Sequence, residues 1–88
     1  MTEQERLMEK VFRYIRDERW KQVRKWGKQE HDAFTWLAIL TEEVGEASQA
    51  ALHDVFGGSH AGTFRTEMIH VTAVAVQILE WLFSKDES

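Results

Sequence analysis

The stretch LTEEVGEASQAALHDVFGGSHAGTFRTEMIH, residues 40–70, determines the fold because a glycine-rich break separates two helical patterns within it. Before the break, apolar residues recur every three or four positions, which is the period of one helix face. Residues 57–62 (GGSHAG) end that pattern, and Thr63 then stands where the N-cap of another helix is expected. The stretch therefore predicts two helices joined by a short flexible loop.

Helical patterns continue outward from this stretch. Asp32 is the expected N-cap of the helix before the break, and Gly27 is expected to end an earlier helix. The absence of proline permits long helices and argues against a turn-rich β fold. We predict an all-α protomer of three helices, of which the last two are long and antiparallel. The first helix is expected from Glu3 to about Trp26, the second from about Ala33 to Val55, and the third from the Thr63 cap to about Phe83.

Two apolar stripes indicate which faces of these helices are buried. The first helix carries one stripe, and the second helix another that is rich in small alanines, which permit close packing. The predicted first stripe is Leu7, Val11, Tyr14, Ile15 and Glu18, and the predicted second stripe is Leu37, Leu40, Val44, Ala47 and Ala51.

Composition limits both architecture and function. Eighty-eight residues with 43% apolar content fit one domain over residues 1–88, and so small a chain buries little surface alone, which favours oligomers. Neither cysteine nor an apolar signal core is present, so we expect a cytoplasmic protein. The strongly apolar segment 71–83 is too short for a bilayer, which argues against a membrane role. A net charge of −4 argues against nucleic-acid binding.

Acidic residues interrupt both apolar faces beside the break. At about 100° per residue, Glu43 and Glu46 fall near the second helix's stripe, whereas Glu42 points furthest outward. On the third helix, Glu67 and His70 share the apolar face. Glutamates on helices usually form solvated faces, but this phase turns them toward a neighbouring helix, where they are costly unless they bind a cation. Antiparallel packing would bring them together, and such ligands suit Mg²⁺ or Mn²⁺.

At these positions the chain resembles the MazG-like branch of the all-α nucleoside triphosphate pyrophosphohydrolases. That family has an E-E-x-x-E segment, matched by residues 42–46 (EEVGE), and an E-x-x-D segment, which residues 67–70 (EMIH) match with histidine in place of aspartate. The approach to the first segment, with residues 25–27 (KWG) and 36–43 (WLAILTEE), is similar to short phage- and prophage-type members. The resemblance covers about Trp20 to Trp81.

The resemblance implies a metal-dependent enzyme that converts a nucleoside triphosphate to a monophosphate and pyrophosphate, a reaction that this family often uses for nucleotide house-cleaning. It implies Mg²⁺, or Mn²⁺, bound by Glu43, Glu46, Glu67 and His70, with Glu42, Glu43 and Glu46 in catalysis. It also implies a homodimer or homotetramer that completes a four-helix-bundle-like environment. Because imidazole prefers softer ions than Mg²⁺, the histidine is expected to favour Mn²⁺ or weaken catalysis.

Substrate contacts are less specified by the sequence. An aromatic ring near the acidic helix can stack on a base, and basic side chains can bind phosphates, although core packing and solvated surface are the ordinary roles of these residue types. The candidates are Trp26, Trp36, Arg24, Lys28 and Arg65.

Two other functions fit the same residues. A degenerate relative would bind a nucleotide or a protein without hydrolysis, an alternative that the histidine at position 70 raises. A di-iron carboxylate bundle, which uses glutamates and Glu-x-x-His pairs from four helices, would need two chains to meet at the metal. Bound iron would distinguish the di-iron protein, and nucleotide binding without pyrophosphate release would distinguish the degenerate one.

Overall fold

The computed structural model describes residues 1–87, which fold into three long helices and a short terminal 3₁₀ turn. Helix α1 spans Glu3–Trp26, α2 spans Ala33–Phe56, α3 spans Phe64–Ser84, and the turn spans Lys85–Glu87. The predicted all-α class and the predicted bounds are confirmed to within one residue. Within residues 1–87, no helix combines the length and apolar character needed to cross a membrane.

The helix ends follow the local signals of the sequence, with one exception. Asp32 caps α2, since its Oδ1 accepts a hydrogen bond from the Thr35 amide at 2.8 Å. Gly27 ends α1 with a φ of 68°, a conformation that costs glycine little. The prediction for Thr63 is wrong in detail, because its hydroxyl donates to the His60 carbonyl at 2.7 Å and caps no α3 amide.

Helix α3 is the central element and packs against both of the others, whereas α1 and α2 make no close backbone approach within the described chain. Trp36 at the start of α2 contacts Trp81 near the end of α3, so these helices are antiparallel, as predicted. Arg19 late in α1 binds Glu80 late in α3, so α1 and α3 run parallel. This arrangement leaves a cleft between α1 and α2, with α3 as its floor.

The buried face of α2 is rotated from the predicted stripe. Leu37 and Val44 are 55% and 45% exposed, so their assignment to the core is wrong. The buried residues of α2 are instead Trp36, Ala47 and Ala50, a face offset by one position that includes Glu43 at helical spacing. The rotation therefore turns Glu43 further toward α3 than the sequence pattern indicated.

The protomer is open and leaves much apolar surface in water. It exposes 6845 Å², whereas a compact monomer of about 10 kDa exposes roughly 5,400 Å². Its radius of gyration is 15.0 Å, against about 12 Å for a compact chain of this length. Large exposed apolar side chains lie on all three helices, and they include Val11, Phe12, Trp20, Phe34, Leu37, Val44, Leu52, Met68, Leu79 and Phe83.

Candidate metal centre

An acidic cluster forms where α2 crosses the first turns of α3. Glu43 from α2 and Glu67 and His70 from α3 each offer one ligand atom, and these atoms lie within 4.8 Å of one another. Glu67 and His70 are three residues apart, so they share one face of α3, and the antiparallel packing places Glu43 opposite them. The predicted convergence is therefore confirmed for these three side chains, whereas Glu46, the fourth predicted ligand, lies outside the group.

Two carboxylate oxygens in this cluster are buried without a hydrogen-bond donor. They are Oε2 of Glu43 and Oε2 of Glu67. The nearest imidazole nitrogen, Nδ1 of His70, lies 3.6 Å from the Glu67 oxygen, which is too long for a hydrogen bond. Leaving a buried polar atom unpartnered costs about 1–3 kcal/mol. A cation bound between the two oxygens would remove this cost.

The electrostatics of the cluster are unfavourable in the absence of a cation. Burial is the main cause that raises the pKa of Glu43, and the negative charges of Glu46, Glu67 and Glu42 raise it further, while His70 lowers it. The folded protein thus holds the Glu43 carboxylate where its ionised form is destabilised. Such a shift in a cleft is typical of functional sites, and a divalent cation would favour the ionised form.

The chemistry of the donors limits which cations fit. Two carboxylates supply the hard oxygen ligands that Mg²⁺ and Mn²⁺ prefer, with substrate and water oxygens filling the other positions. The imidazole of His70 is accepted more readily by Mn²⁺ than by Mg²⁺. Glu43, Glu67 and His70 together therefore fit either ion, with a bias toward manganese.

The other acidic residues lie around this group of three. Glu46 is exposed and lines the cleft, one helical turn along α2 from Glu43, whereas Glu42 is exposed on α2. Glu18 is a further acidic residue near the group that the sequence did not predict, since its Oε1 lies 3.9 Å from Nε2 of His70 across the cleft. The sequence pattern placed Glu18 on the apolar face of α1, but no metal role was predicted for it. An acidic residue at the end of an apolar stripe is the signal that could have indicated its place near the cluster.

Glu43 and His70 of the cluster line one end of the cleft between α1 and α2, which has a volume of about 580 Å³. Lys21 and Lys25 line its α1 wall, and Trp26 lies at the far end with half of its surface exposed. At a rise of 1.5 Å per residue, Trp26 lies about 12 Å along α1 from Glu18. The cleft therefore joins an anionic end to an aromatic end, with two cationic side chains on the α1 wall.

Known proteins add nothing to this description of the site. No family model, curated protein or solved structure matches the chain. The likeness of residues 42–46 and 67–70 to the MazG-like pattern therefore stays a prediction from the sequence.

Two of the predicted substrate contacts lie in the cleft. Trp26 offers an exposed ring there, and Nζ of Lys25 lies 4.7 Å from the centre of that ring. Trp36 belongs to the cleft wall but is only 1% exposed, and the ring of His31 packs edge-on against it at 4.8 Å. Its ring faces are thus largely covered by protein, so Trp26 is the better surface for stacking.

The three predicted phosphate contacts do not reach the cleft. Lys28 is exposed and pairs with Glu30 at 3.4 Å, on a different groove of the protein. Arg65 lines a groove between α1 and α3. Arg24 is two residues from the cleft-lining Gln22, which turns it about 200° around the helix. The basic side chains that line the cleft are instead those of Lys21 and Lys25. They are three and seven residues after Glu18, a spacing that would have indicated that all three share one face of α1.

Proposed function

We propose that this protein is a metal-dependent nucleoside triphosphate pyrophosphohydrolase, with Mg²⁺ or Mn²⁺ held by Glu43, Glu67 and His70. The main support is the pair of buried, unpartnered carboxylate oxygens of Glu43 and Glu67, of which Glu43 lines one end of the cleft together with His70. Unpartnered buried acids are costly, and a structure keeps them where they serve a ligand.

The rest of the cleft suits a nucleotide. Lys21 and Lys25 place positive charge on the wall beyond the carboxylates, where they can neutralise phosphate oxygens that the cation does not contact. Trp26 offers a flat apolar ring on which a base can stack. A bound nucleotide would therefore lie lengthwise, with its phosphates toward Glu43 and its base toward Trp26.

The residues around the cluster supply the remaining chemistry. The cation, when bound, neutralises phosphate oxygens and lowers the barrier to attack by water at phosphorus. Glu46 is exposed in the cleft beside Glu43, so its carboxylate can accept the proton of the attacking water. The new phosphorus–oxygen bond forms as the bond between the α-phosphorus and its bridging oxygen breaks, and pyrophosphate leaves. Glu42, which is exposed outside the group of three, would act only through Glu43.

We also propose that the protomers associate as a homodimer or homotetramer. The surface in excess of a compact monomer amounts to roughly 1,500 Å² per chain, about twice the roughly 800 Å² that each partner buries in one standard interface. Apolar side chains such as Leu37 and Val44 face outward on α2, as a bundle completed by another chain requires. Sedimentation equilibrium tests this, and a monomer at high micromolar concentration would exclude the assembly.

Pyrophosphate release from a panel of nucleoside triphosphates, with Mg²⁺ or Mn²⁺, tests the enzymatic proposal. Removing a general base costs about 10²–10⁴-fold in rate, so Glu46→Gln should lose at least a hundredfold. Glu9→Gln, a matched change at an exposed position of α1, should keep the wild-type rate. Release that survives in Glu46→Gln would contradict its role.

A binding protein without hydrolysis is the second candidate, because His70 stands where a third carboxylate would provide another negative charge. Nucleotide binding with no pyrophosphate release from any substrate would favour it. Co-purified iron with its visible absorption would instead favour the di-iron interpretation.

A further inference from the structure

A buried polar pair on α1 lies beside the cleft. Arg19 and Gln22 are 9% and 8% exposed, and Nη1 of Arg19 donates to Oε1 of Gln22 at 2.7 Å. Both side chains are costly to bury unless they are hydrogen-bonded. Gln22 lines the cleft between the carboxylate end and Trp26, so its amide lies where a bound nucleotide would pass.

The guanidinium of Arg19 is held in one orientation by α3. Its Nε donates to the two carboxylate oxygens of Glu80 at 3.1 and 3.2 Å, and Nη2 donates to the same carboxylate. A planar guanidinium fixed by several bonds cannot rotate without losing them. The Nη1 group of Arg19 therefore points at Gln22 in a fixed direction.

This contact determines which way the Gln22 amide is turned. An amide can present either its oxygen or its NH₂ group, and the choice follows from the hydrogen-bonding partners. Arginine offers only donors, so the oxygen of Gln22 must face Arg19. The NH₂ group is then the part of the amide that remains for a ligand in the cleft, and it can only donate.

From this geometry we infer that Gln22 selects bases with a carbonyl oxygen at C6 of a purine or C4 of a pyrimidine, an inference that rests on the proposed nucleotide function. Gln22 lies about 6 Å along α1 from Glu18 and about 6 Å from Trp26, between the phosphate end and the stacking ring. Guanine, thymine and uracil present a carbonyl oxygen where adenine and cytosine present an amino group. The NH₂ group of Gln22 can donate a hydrogen bond to that carbonyl oxygen. In adenine and cytosine it would face an amino group, which is also a donor, and no hydrogen bond would form.

Binding of nucleoside monophosphates without metal tests this selectivity apart from hydrolysis. Tryptophan fluorescence should show dGMP binding more tightly than dAMP, and dTMP more tightly than dCMP, each by about tenfold, the value of one good hydrogen bond to a desolvated partner. Equal affinities within both pairs would overturn the inference. Gln22→Met should bring each pair within about twofold, while Gln49→Met, at an exposed position of α2, should leave the preference unchanged.

A second variant tests whether Gln22 only holds Arg19, its hydrogen-bonding partner on the same helix. Gln22→Glu keeps an oxygen for Arg19 and turns the cleft-facing donor into an acceptor, so the preference should reverse toward dAMP and dCMP. A preference for dGMP that persists in folded Gln22→Glu would overturn the inference. If the wild type shows the carbonyl preference but releases no pyrophosphate with metal, hydrolysis fails and the role of Gln22 stands. Release with no base preference would support hydrolysis and overturn the role of Gln22.

Discussion

Replacing Glu43 by glutamine should affect stability with opposite signs in the absence and presence of metal. Glu43 has a buried oxygen without a donor, and burial together with nearby carboxylates raises its pKa. The amide of Glu43→Gln removes one negative charge and supplies an NH₂ group that can donate to the unpartnered oxygen of Glu67. The metal-free variant should therefore be more stable than the wild type.

The magnitude follows from the groups that change. Satisfying one buried carboxylate oxygen recovers about 1 kcal/mol, which raises the melting temperature by roughly 4–8 °C for a domain of this size. A cation at a hundred times its dissociation constant stabilises the wild type by about 2.7 kcal/mol. Most of that gain should be absent in Glu43→Gln, since an amide carries no charge for the ion.

Thermal unfolding at pH 7 and one protein concentration, in chelator and in Mn²⁺, measures both effects. Glu42→Gln is the matched control, because it makes the same charge change on the same helix at an exposed position. It should shift the metal-free melting temperature less and keep the response to Mn²⁺. A Glu43→Gln protein that is destabilised in chelator, or that gains as much from Mn²⁺ as the wild type, would refute the role assigned to Glu43.

Three further outcomes are expected. Burial raises the pKa of Glu43 above its ordinary 4.5, so the folded state binds a proton on this carboxylate more tightly than the unfolded state does. In chelator, the free energy of unfolding should therefore increase as pH falls from 7 toward 4.5. Urea titrations should show this pH dependence flattened in Glu43→Gln. His70→Asp should shift calorimetric metal preference from Mn²⁺ toward Mg²⁺ and destabilise the metal-free protein, because it adds a charge to the cluster; an unchanged preference would contradict the ligand role. Gly58→Ala should lower the free energy of unfolding by about 1–3 kcal/mol, since φ is 147° and the new Cβ would lie 2.5 Å from the His53 ring. Gly45→Ala, where a Cβ meets open space within α2, should raise the free energy of unfolding by about 0.5–1 kcal/mol in the same urea assay.

The helices and their order were predictable because their signals are local. Gly27, Asp32 and the glycines from 57 to 62 fix the ends of elements through backbone conformation and capping, and these do not depend on distant residues. The phase of α2 was not predictable to better than one position. Leu37 and Val44 are as apolar as buried residues, and only packing against α3 decides that Trp36 and the alanines point inward.

The site was predictable in its centre and not at its edges. Glu43, Glu67 and His70 converge because two helices joined by a short loop must pack antiparallel, a constraint already present in the sequence. The contributions of α1 depend on how that helix docks against α3. Glu18 and Lys21 enter the cleft through this docking, which the Arg19–Glu80 contact helps to fix, and no short-range pattern connects residues 61 positions apart.

Anomalous diffraction from crystals grown with Mn²⁺ would locate the proposed ion without relying on activity. We expect an anomalous peak that lies about 2.0–2.3 Å from carboxylate oxygens of Glu43 and Glu67 and from an imidazole nitrogen of His70. Crystals of Glu43→Gln should show no such peak. A manganese ion bound elsewhere, or an empty cluster at millimolar Mn²⁺, would contradict the proposed metal centre.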